Sequence, residues 1–179
     1  MIIAVAGRRI DAEDATASRF PLTNVALVQQ RLEALFDREA ATALVSSGAC
    51  GADLVALTAA GGRRMRRRMV LPFDREAFRA SSVTDRPGEW GPVYDRLLVE
   101  LDRTGDVVTL TGDAASDAAY AAANEAILRE AAALARERAT DVVAVLVWEG
   151  ASRGATDLTA AFGDAARRRG CRVEQVKTL

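Results

Sequence analysis

The sequence contains no histidine, and its 179 residues include a single lysine, Lys177. The absence of histidine excludes Ser-His-Asp and Cys-His catalysis as well as histidine-ligated zinc sites. The scarcity of lysine excludes a Walker-type phosphate loop, because neither glycine-rich turn of the chain carries Gly-Lys-Ser or Gly-Lys-Thr. Any acid–base chemistry must therefore use carboxylates, tyrosine, cysteine, the one lysine or water.

Cysteine and long apolar runs are also scarce. Cys50 and Cys171 are far apart in the sequence and form no metal-spaced pair, so we expect a reduced, cytoplasmic protein with no metal and no cofactor. No stretch of about 18 apolar residues occurs, so no membrane span is expected. Residues 2–6 indicate a first strand rather than a signal peptide. A net charge of −1 provides no overall attraction to nucleic acid or membranes.

Half of the residues are apolar, which at this length predicts one folded domain over residues 1–179. Short apolar runs alternate with segments of helical periodicity, a pattern typical of βαβ units. We therefore predict an α/β fold, a Rossmann-like three-layer sandwich with a mostly parallel sheet of about six strands. The predicted strands are residues 2–6, 43–46, 69–71, 106–110, 141–148 and 172–176. Helices are predicted between them, with glycines 61 and 62 ending the second helix and residues 73–91 forming an irregular loop or lid.

Two glycine-rich turns carry the main functional signal. Residues 46–53 (Ser-Ser-Gly-Ala-Cys-Gly-Ala-Asp) and residues 150–157 (Gly-Ala-Ser-Arg-Gly-Ala-Thr-Asp) each follow a predicted strand and open a predicted helix. Such a turn presents backbone N–H groups and the positive end of a helix dipole, which suit a phosphate. Ligands of parallel α/β sheets bind at the carboxyl ends of the strands, where both turns are expected to lie. Each turn taken alone is also compatible with a simple tight connection.

Five segments of the chain share a further pattern. They are residues 46–54, 70–78 (Val-Leu-Pro-Phe-Asp-Arg-Glu-Ala-Phe), 81–83 (Ser-Ser-Val), 145–150 (Val-Leu-Val-Trp-Glu-Gly) and 153–157 (Arg-Gly-Ala-Thr-Asp). In this order they resemble a branch of the SLOG superfamily, Rossmann-like domains related to LOG-type phosphoribohydrolases and DprA-type DNA-processing proteins. The resemblance implies a nucleotide or nucleotide-derived ligand, and it is also what suggests a homodimer.

The chain departs from the LOG enzymes at the second turn. Those enzymes carry Pro-Gly-Gly-x-Gly-Thr-x-x-Glu with a catalytic glutamate and a partnering arginine, whereas this chain has no glutamate three residues after Thr156. Ala155 replaces the second glycine of the closer branch. The first strand ends in Gly7-Arg8-Arg9, where relatives more often show Gly-His-Arg. The resemblance therefore implies binding more firmly than catalysis.

We accordingly predict a ligand site built from both turns. Its predicted ligand-binding residues are Gly7, Arg8, Ser47, Gly48, Cys50, Gly51, Asp53, Pro72, Arg153, Gly154, Thr156 and Asp157. The phosphate is expected on residues 48–53 and 153–157, with Arg8 assisting and Asp157 taking a ribose hydroxyl. If the chain is an enzyme, the candidate catalytic carboxylates are Asp157 and Glu149.

Structural interpretations of the same side chains stay open. Asp157 and Asp53 are both suited to the role of a helix first-turn carboxylate that interacts with the dipole. Arg153 is either a phosphate ligand or a solvated loop arginine. Cys50 lies at a helix N-terminus, which can lower a thiol pKa, but without a histidine or lysine neighbour it is interpreted as a small apolar residue in a tight turn.

Two features outside the turns also allow two interpretations. Tyr120 and Asn124 share one face of a predicted helix, which either reaches the ligand edge or holds the helix against the sheet. The run Arg-Arg-Met-Arg-Arg-Arg at residues 63–68 either contacts nucleic acid or forms solvated cations after a helix C-terminus. No aromatic residue interleaves the run, which disfavours nucleic acid as a partner.

Three functional hypotheses follow from these residues. The leading one is a sensor or carrier domain that binds a nucleotide or an ADP-ribose-like metabolite. The first alternative is a nucleoside-5'-monophosphate phosphoribohydrolase that cleaves the N-glycosidic bond with Asp157 or Glu149. The second alternative is a DNA-processing accessory protein that uses the arginine run.

Overall fold

A computed structural model describes residues 1–114 and 116–179. Within them, six strands form one sheet in which every neighbouring pair is parallel. The strands are β1 (Ile2–Gly7), β2 (Ala43–Ser46), β3 (Arg66–Leu71), β4 (Val107–Thr109), β5 (Val142–Trp148) and β6 (Arg172–Lys177). The helices are α1 (Val25–Arg38), α2 (Ala52–Gly62), α3 (Arg75–Phe78), α4 (Trp90–Arg103), α5 (Asp117–Glu137) and α6 (Leu158–Arg168). A short 3-10 helix, Leu22–Asn24, precedes α1, and a π-helical turn, Arg79–Val83, follows α3.

The strand order is β4-β3-β2-β1-β5-β6. The chain therefore moves outward from β1 to β4, crosses back through α5, and continues with β5 on the other side of β1. Helices α1, α2 and α4 pack on one face of the sheet, and α5 and α6 pack on the other. This arrangement confirms the predicted α/β, Rossmann-like three-layer sandwich. The order reverses between β1 and β5, which is where such sheets open a crevice for a ligand.

Strands β1 and β5 are almost entirely apolar because helices cover both of their faces. In β1, Ile3 and Val5 face the core under α1 and α2, whereas Ile2 and Ala4 face the core under α5 and α6. The central position also brings the end of β1 beside the end of β5, where Gly7 pairs with Val147. Residues that follow these two strands are thus neighbours although about 140 positions separate them in the sequence.

Several element boundaries differ from the sequence-based expectation. Strand β3 begins at Arg66, three residues before the predicted start at residue 69. Helix α2 continues through both glycines that were expected to end it, and the chain turns at Arg64, where φ is +57°. The segment expected to be an irregular loop contains α3, capped by the Asp74 carboxylate, and the π-helical turn. None of the helices in the described residues is long and apolar enough to span a membrane.

Candidate functional site

A cavity of about 530 Å³ opens at the carboxyl edge of the sheet, beside the β1–β5 switch point. Its walls come from the end of β1 and the segment after it, the first glycine turn, the π-helical turn, and the N-terminal parts of α5 and α6. Among the described lining residues, the charged side chains are five arginines and three aspartates: Arg8, Arg9, Arg19, Arg86, Arg153, Asp11, Asp53 and Asp117. Carboxylates outside the lining already pair with several of these arginines, so it is the location at the switch point that favours a ligand here.

The cavity brings together part of the predicted ligand set. Gly7, Arg8, Ser47, Asp53 and Arg153 line it. The remaining predicted residues lie near the same edge but outside the described lining: Gly48, Cys50, Gly51, Pro72, Gly154, Thr156, Asp157 and Glu149. Ligand binding by the residues inside or outside the lining stays a prediction. The hydrogen bonds of each side chain indicate whether it has donors or acceptors left for a ligand.

Arg8 is 4 % exposed and makes its contacts inside the protein. Its Nε and Nη2 donate to the Glu149 carboxylate at 2.6 and 3.0 Å, and its Nη1 and Nη2 donate to Asp157 at 2.7 and 2.8 Å. The carbonyl oxygen of Ala151 accepts a further hydrogen bond at 2.8 Å, and the guanidinium carbon lies 5.5 Å from the ring centroid of Trp148. Arg8 therefore ties β1 to the second glycine turn, and most of its donors are already used.

Asp157 is the N-cap of α6. One carboxylate oxygen accepts hydrogen bonds from the N–H groups of Thr159 and Ala160, and the other accepts one from the N–H of Arg153 at 2.7 Å. Burial by itself would raise the pKa of Asp157, but the hydrogen bonds from Arg8 and from the backbone outweigh it and hold the pKa well below its usual range. A carboxylate that is ionised, buried and saturated in this way is suited to capping rather than to proton transfer.

The first glycine turn also encloses a carboxylate. Asp53, in the first turn of α2, accepts a hydrogen bond from Ser46 Oγ at 2.9 Å and one from the N–H of Ala49 at 3.3 Å. The N–H of Cys50 donates to the Ser82 carbonyl oxygen, and that of Ala52 donates to the Arg8 carbonyl oxygen. Burial dominates at Asp53 and raises its pKa to about 6, although both hydrogen bonds oppose that shift.

Each turn thus contains an internal carboxylate in the kind of place expected for a phosphate. In the first turn, the N–H groups of Ala49, Cys50 and Ala52 have partners within the protein, and in the second the Arg153 N–H does. A ligand phosphate could use the Ala49 or Arg153 N–H only by displacing Asp53 or Asp157, and the N–H groups of Cys50 and Ala52 only by breaking their bonds to backbone carbonyl oxygens. The geometry therefore favours the structural interpretation of both aspartates, which the sequence left open.

Gly51 explains why the first turn needs glycine. Its φ is +93°, a conformation that residues with a Cβ rarely adopt. A Cβ at this position would lie 2.8 Å from both the Arg8 carbonyl oxygen and the Ile10 nitrogen. The glycine lets α2 begin directly against the chain leaving β1, which is a packing requirement independent of any ligand.

The Cys50 side chain is fully buried beside this turn. Burial raises the pKa of its thiol to about 11, so the thiol is protonated at neutral pH and is a poor nucleophile. This agrees with the interpretation as a small apolar residue. Pro72 is also buried, and its carbonyl oxygen accepts a hydrogen bond from the Gly112 N–H.

Tyr120 and Asn124 both line the cavity and both also hold the structure together. The Tyr120 hydroxyl lies 2.9 Å from Ser82 Oγ, and Asn124 Nδ2 donates to the Leu158 carbonyl oxygen at 2.9 Å. These contacts join α5 to the π-helical turn and to the start of α6. The two interpretations of this helix face are thus compatible with each other.

The lining residues outside the predicted ligand set include Arg9, Arg19, Ser82 and Arg86. Arg9 directly follows Gly7-Arg8 and could have been included as part of the same strand end. Ser82 lies in a segment that the resemblance covers, but the pattern there assigned it no role. Arg19 and Arg86 lie in irregular segments whose path is decided by tertiary contacts, so no local pattern indicated them.

Three arginines of the run, Arg66, Arg67 and Arg68, form ion pairs with neighbouring elements. Arg66 and Arg68 both hold Asp106, at 3.0 and 2.9 Å, and Arg68 also pairs with Glu130. Arg67 pairs with Glu100. Burial raises the pKa of Asp106, but the two arginines outweigh this and lower it. The run therefore links β3 to neighbouring elements, which supports its structural interpretation.

Replacing Arg66 and Arg67 together by glutamine is expected to leave the affinity for DNA unchanged, because carboxylates already neutralise both guanidinium groups. Arg68 still holds Asp106 in this variant, so we expect a stability loss of at most about 1 kcal/mol for each pair. Fluorescence anisotropy with a labelled duplex, measured over a range of salt, tests this expectation. The control replaces exposed Arg129 and Arg136 by glutamine, which removes the same charge from α5. Salt-dependent binding that disappears only in the first variant would support the DNA-processing hypothesis.

Within residues 1–114 and 116–179, no three His, Cys, Asp or Glu side chains are grouped so that they could hold a metal ion.

The comparisons with known proteins are sparse. No protein-family model and no curated protein match the sequence. Among solved structures, the chain is similar to the X-ray structure of DNA processing protein A (DprA) from Streptococcus pneumoniae, with a TM-score of 0.44 and 16 % sequence identity. The match covers 96 % of this chain and 57 % of the DprA chain, so this chain spans little more than half of that protein's length. The fold assignment follows from the sheet topology described above.

Proposed function

We propose that this chain is a SLOG-like Rossmann domain over residues 1–179 that binds a nucleotide or nucleotide-derived anion, acting as a sensor or carrier. The observation that carries the proposal is the arginine-rich cavity at the β1–β5 switch point. Ligands of parallel α/β sheets are held at this position because loops from both halves of the sheet meet there.

The size and lining of the cavity support a ligand with both polar and apolar parts. Its volume of about 530 Å³ is within the range of roughly 300–1,000 Å³ typical of small-molecule sites. Ala15 and Ala17 provide exposed apolar surface, Tyr120 and Asn124 provide hydrogen-bonding groups, and the arginines provide cationic donors. A nucleoside phosphate presents a matching set of a flat base, hydroxyl groups and an anion.

We propose binding rather than hydrolysis because of where the candidate catalytic carboxylates lie. Asp157 and Glu149 are both bound to Arg8, and Glu149 also pairs with Arg19 at 3.2 Å. Neither belongs to the described lining of the cavity. A carboxylate that acts on a glycosidic bond needs access to the substrate and freedom to exchange a proton.

The direct test is thermal-shift screening followed by calorimetry with AMP, ADP-ribose, NAD and cyclic nucleotides. We expect at least one of them to stabilise the protein, by about 2.7 kcal/mol when its concentration is 100 times Kd. Arg153→Ala is expected to weaken the binding of that ligand, because Arg153 lines the cavity, is about half exposed, and its guanidinium approaches Asp157 no closer than 3.7 Å. The matched control is Arg167→Ala on α6, whose exposed side chain pairs with Asp164 away from the cavity.

Two results would contradict the proposal. One is the absence of stabilisation by every nucleotide in the panel. The other is release of free base from a nucleoside monophosphate during prolonged incubation, with loss of that activity in Asp157→Asn, which would instead favour the phosphoribohydrolase alternative.

A further inference from the structure

Two arginines of the cavity wall converge on one carboxylate. Arg9 Nη1 donates to both oxygens of Asp85, at 2.9 and 2.7 Å, and to the Ser81 carbonyl oxygen at 3.1 Å. Arg86 approaches the same carboxylate, with its Nε 3.5 Å from Asp85 Oδ2. Both arginines line the cavity. Arg9 lies just after the end of β1, and Arg86 lies in the segment after the π-helical turn. The cluster therefore carries two positive charges and one negative charge.

One buried donor in this cluster has no hydrogen-bond partner in the described part of the chain. Arg86 Nε is buried and has no hydrogen-bond partner among the described residues, since its approach to Asp85 does not have hydrogen-bond geometry. A buried guanidinium donor without a partner is unfavourable, and an acceptor from a ligand would remove that penalty. This makes Arg86 different from the other arginines at this edge of the sheet.

The Arg9–Asp85–Arg86 cluster also differs from the Arg8 cluster in how firmly its carboxylate is held. The Asp157 side chain is fully buried and receives backbone N–H groups as well as Arg8. The Asp85 side chain is 29 % exposed, and the polar contacts described for it are those with Arg9 and Arg86. Partly exposed carboxylate–arginine pairs contribute little to stability, whereas breaking a buried pair is costly, so Asp85 is easier to displace than Asp157.

We propose that Arg9 and Arg86 form the anion subsite of this cavity, and that Asp85 is an internal competitor which a phosphate or pyrophosphate group displaces. The inference rests on the proposed function for the cavity and assigns its anionic end. Both glycine turns already contain carboxylates, so the phosphate binds to the two guanidinium groups rather than to the turns. Guanidinium groups suit this exchange because they donate hydrogen bonds to phosphate oxygens as they do to carboxylate oxygens.

The test is calorimetric titration of the full chain with inorganic pyrophosphate. Asp85→Asn removes the competing charge and keeps the side-chain shape, so we expect it to tighten pyrophosphate binding by about tenfold. Arg86→Gln and Arg9→Gln are expected to weaken binding by about tenfold each. The matched control is Arg79→Gln, which removes an arginine of the same segment that pairs with Asp95 outside the cavity lining. In the wild-type protein, the Nε–H resonance of Arg86 is expected to shift when pyrophosphate is added.

The outcomes separate this inference from the proposed function. Equal pyrophosphate affinity in the wild type and Asp85→Asn, or no binding in either, overturns the subsite, even if nucleotides bind elsewhere in the cavity. Tighter binding in Asp85→Asn together with loss in Arg86→Gln supports the subsite. If that pattern occurs while no nucleotide stabilises the protein, the subsite is retained and the nucleotide assignment fails.

Discussion

Replacing Asp157 by alanine is expected to lower the free energy of unfolding by about 3–5 kcal/mol, the largest effect we predict for one substitution. The variant leaves the buried Arg8 guanidinium without one of its two carboxylates and removes the N-cap of α6, which alone contributes about 1 kcal/mol. It also leaves the N–H groups of Arg153 and Thr159 without their acceptor.

Urea unfolding followed by circular dichroism measures this effect. Asp157→Asn retains an acceptor for the helix N-terminus but loses the charge, so we expect an intermediate loss. The control Asp164→Ala removes an aspartate from the same helix, where it pairs with Arg167 at the surface, and should cost less than about 1 kcal/mol. A loss at Asp157 no larger than in this control would mean that its carboxylate is not structural, and the catalytic interpretation would regain support.

Asp157 also contributes to the pH dependence of stability. Because its pKa is lowered in the folded protein, its stabilising effect is present above the unfolded pKa and is lost as the pH falls toward the folded value. The wild-type protein should therefore lose stability in acid more steeply than Asp157→Asn.

Asp53 is expected to affect the pH dependence of stability in the direction opposite to Asp157, and the variant Asp53→Asn tests this. The pKa of Asp53 is raised to about 6 in the folded protein, from an unfolded value of about 4. Between these values the folded state holds a proton that the unfolded state has released, so the contribution of Asp53 falls as the pH rises through about 6. We expect the free energy of unfolding of Asp53→Asn minus that of the wild type to increase by about 2 kcal/mol between pH 4 and pH 7.

Urea unfolding of both proteins at a series of pH values tests this difference, in which the titration of all other groups cancels. Asp95→Asn is the control of opposite sign, because a hydrogen bond from Arg79 lowers the pKa of this surface carboxylate. Its difference from the wild type should decrease as the pH rises toward about 4 and should change little between pH 4 and pH 7. If the difference in the free energy of unfolding between Asp53→Asn and the wild type does not change with pH, the Asp53 carboxyl group has the same pKa in the folded and unfolded states, as a solvated side chain would.

Elements fixed by local sequence patterns were predicted, whereas elements that depend on contacts distant in the sequence were missed. The apolar runs at residues 2–6 and 43–46 predicted their strands closely, because a strand covered on both faces has few alternatives. The start of β3 was missed because Arg66 and Arg68 resemble loop residues until Asp106, about 40 positions away, pairs with them. The helical turns after Pro72 were missed because their short length leaves no periodicity to detect.

The two glycine turns likewise have features that the local sequence determines and features that only tertiary contacts determine. Residue order alone determined that they follow parallel strands and meet at one edge of the sheet, since backbone periodicity and glycine conformation are local properties. The sequence could not determine whether Asp53 and Asp157 face a ligand or fill their own turns. That was decided by tertiary packing, which buries both carboxylates and places Arg8 beside a partner 149 positions away. It also decided which arginines reach the cavity, because irregular segments follow long-range contacts that no local pattern encodes.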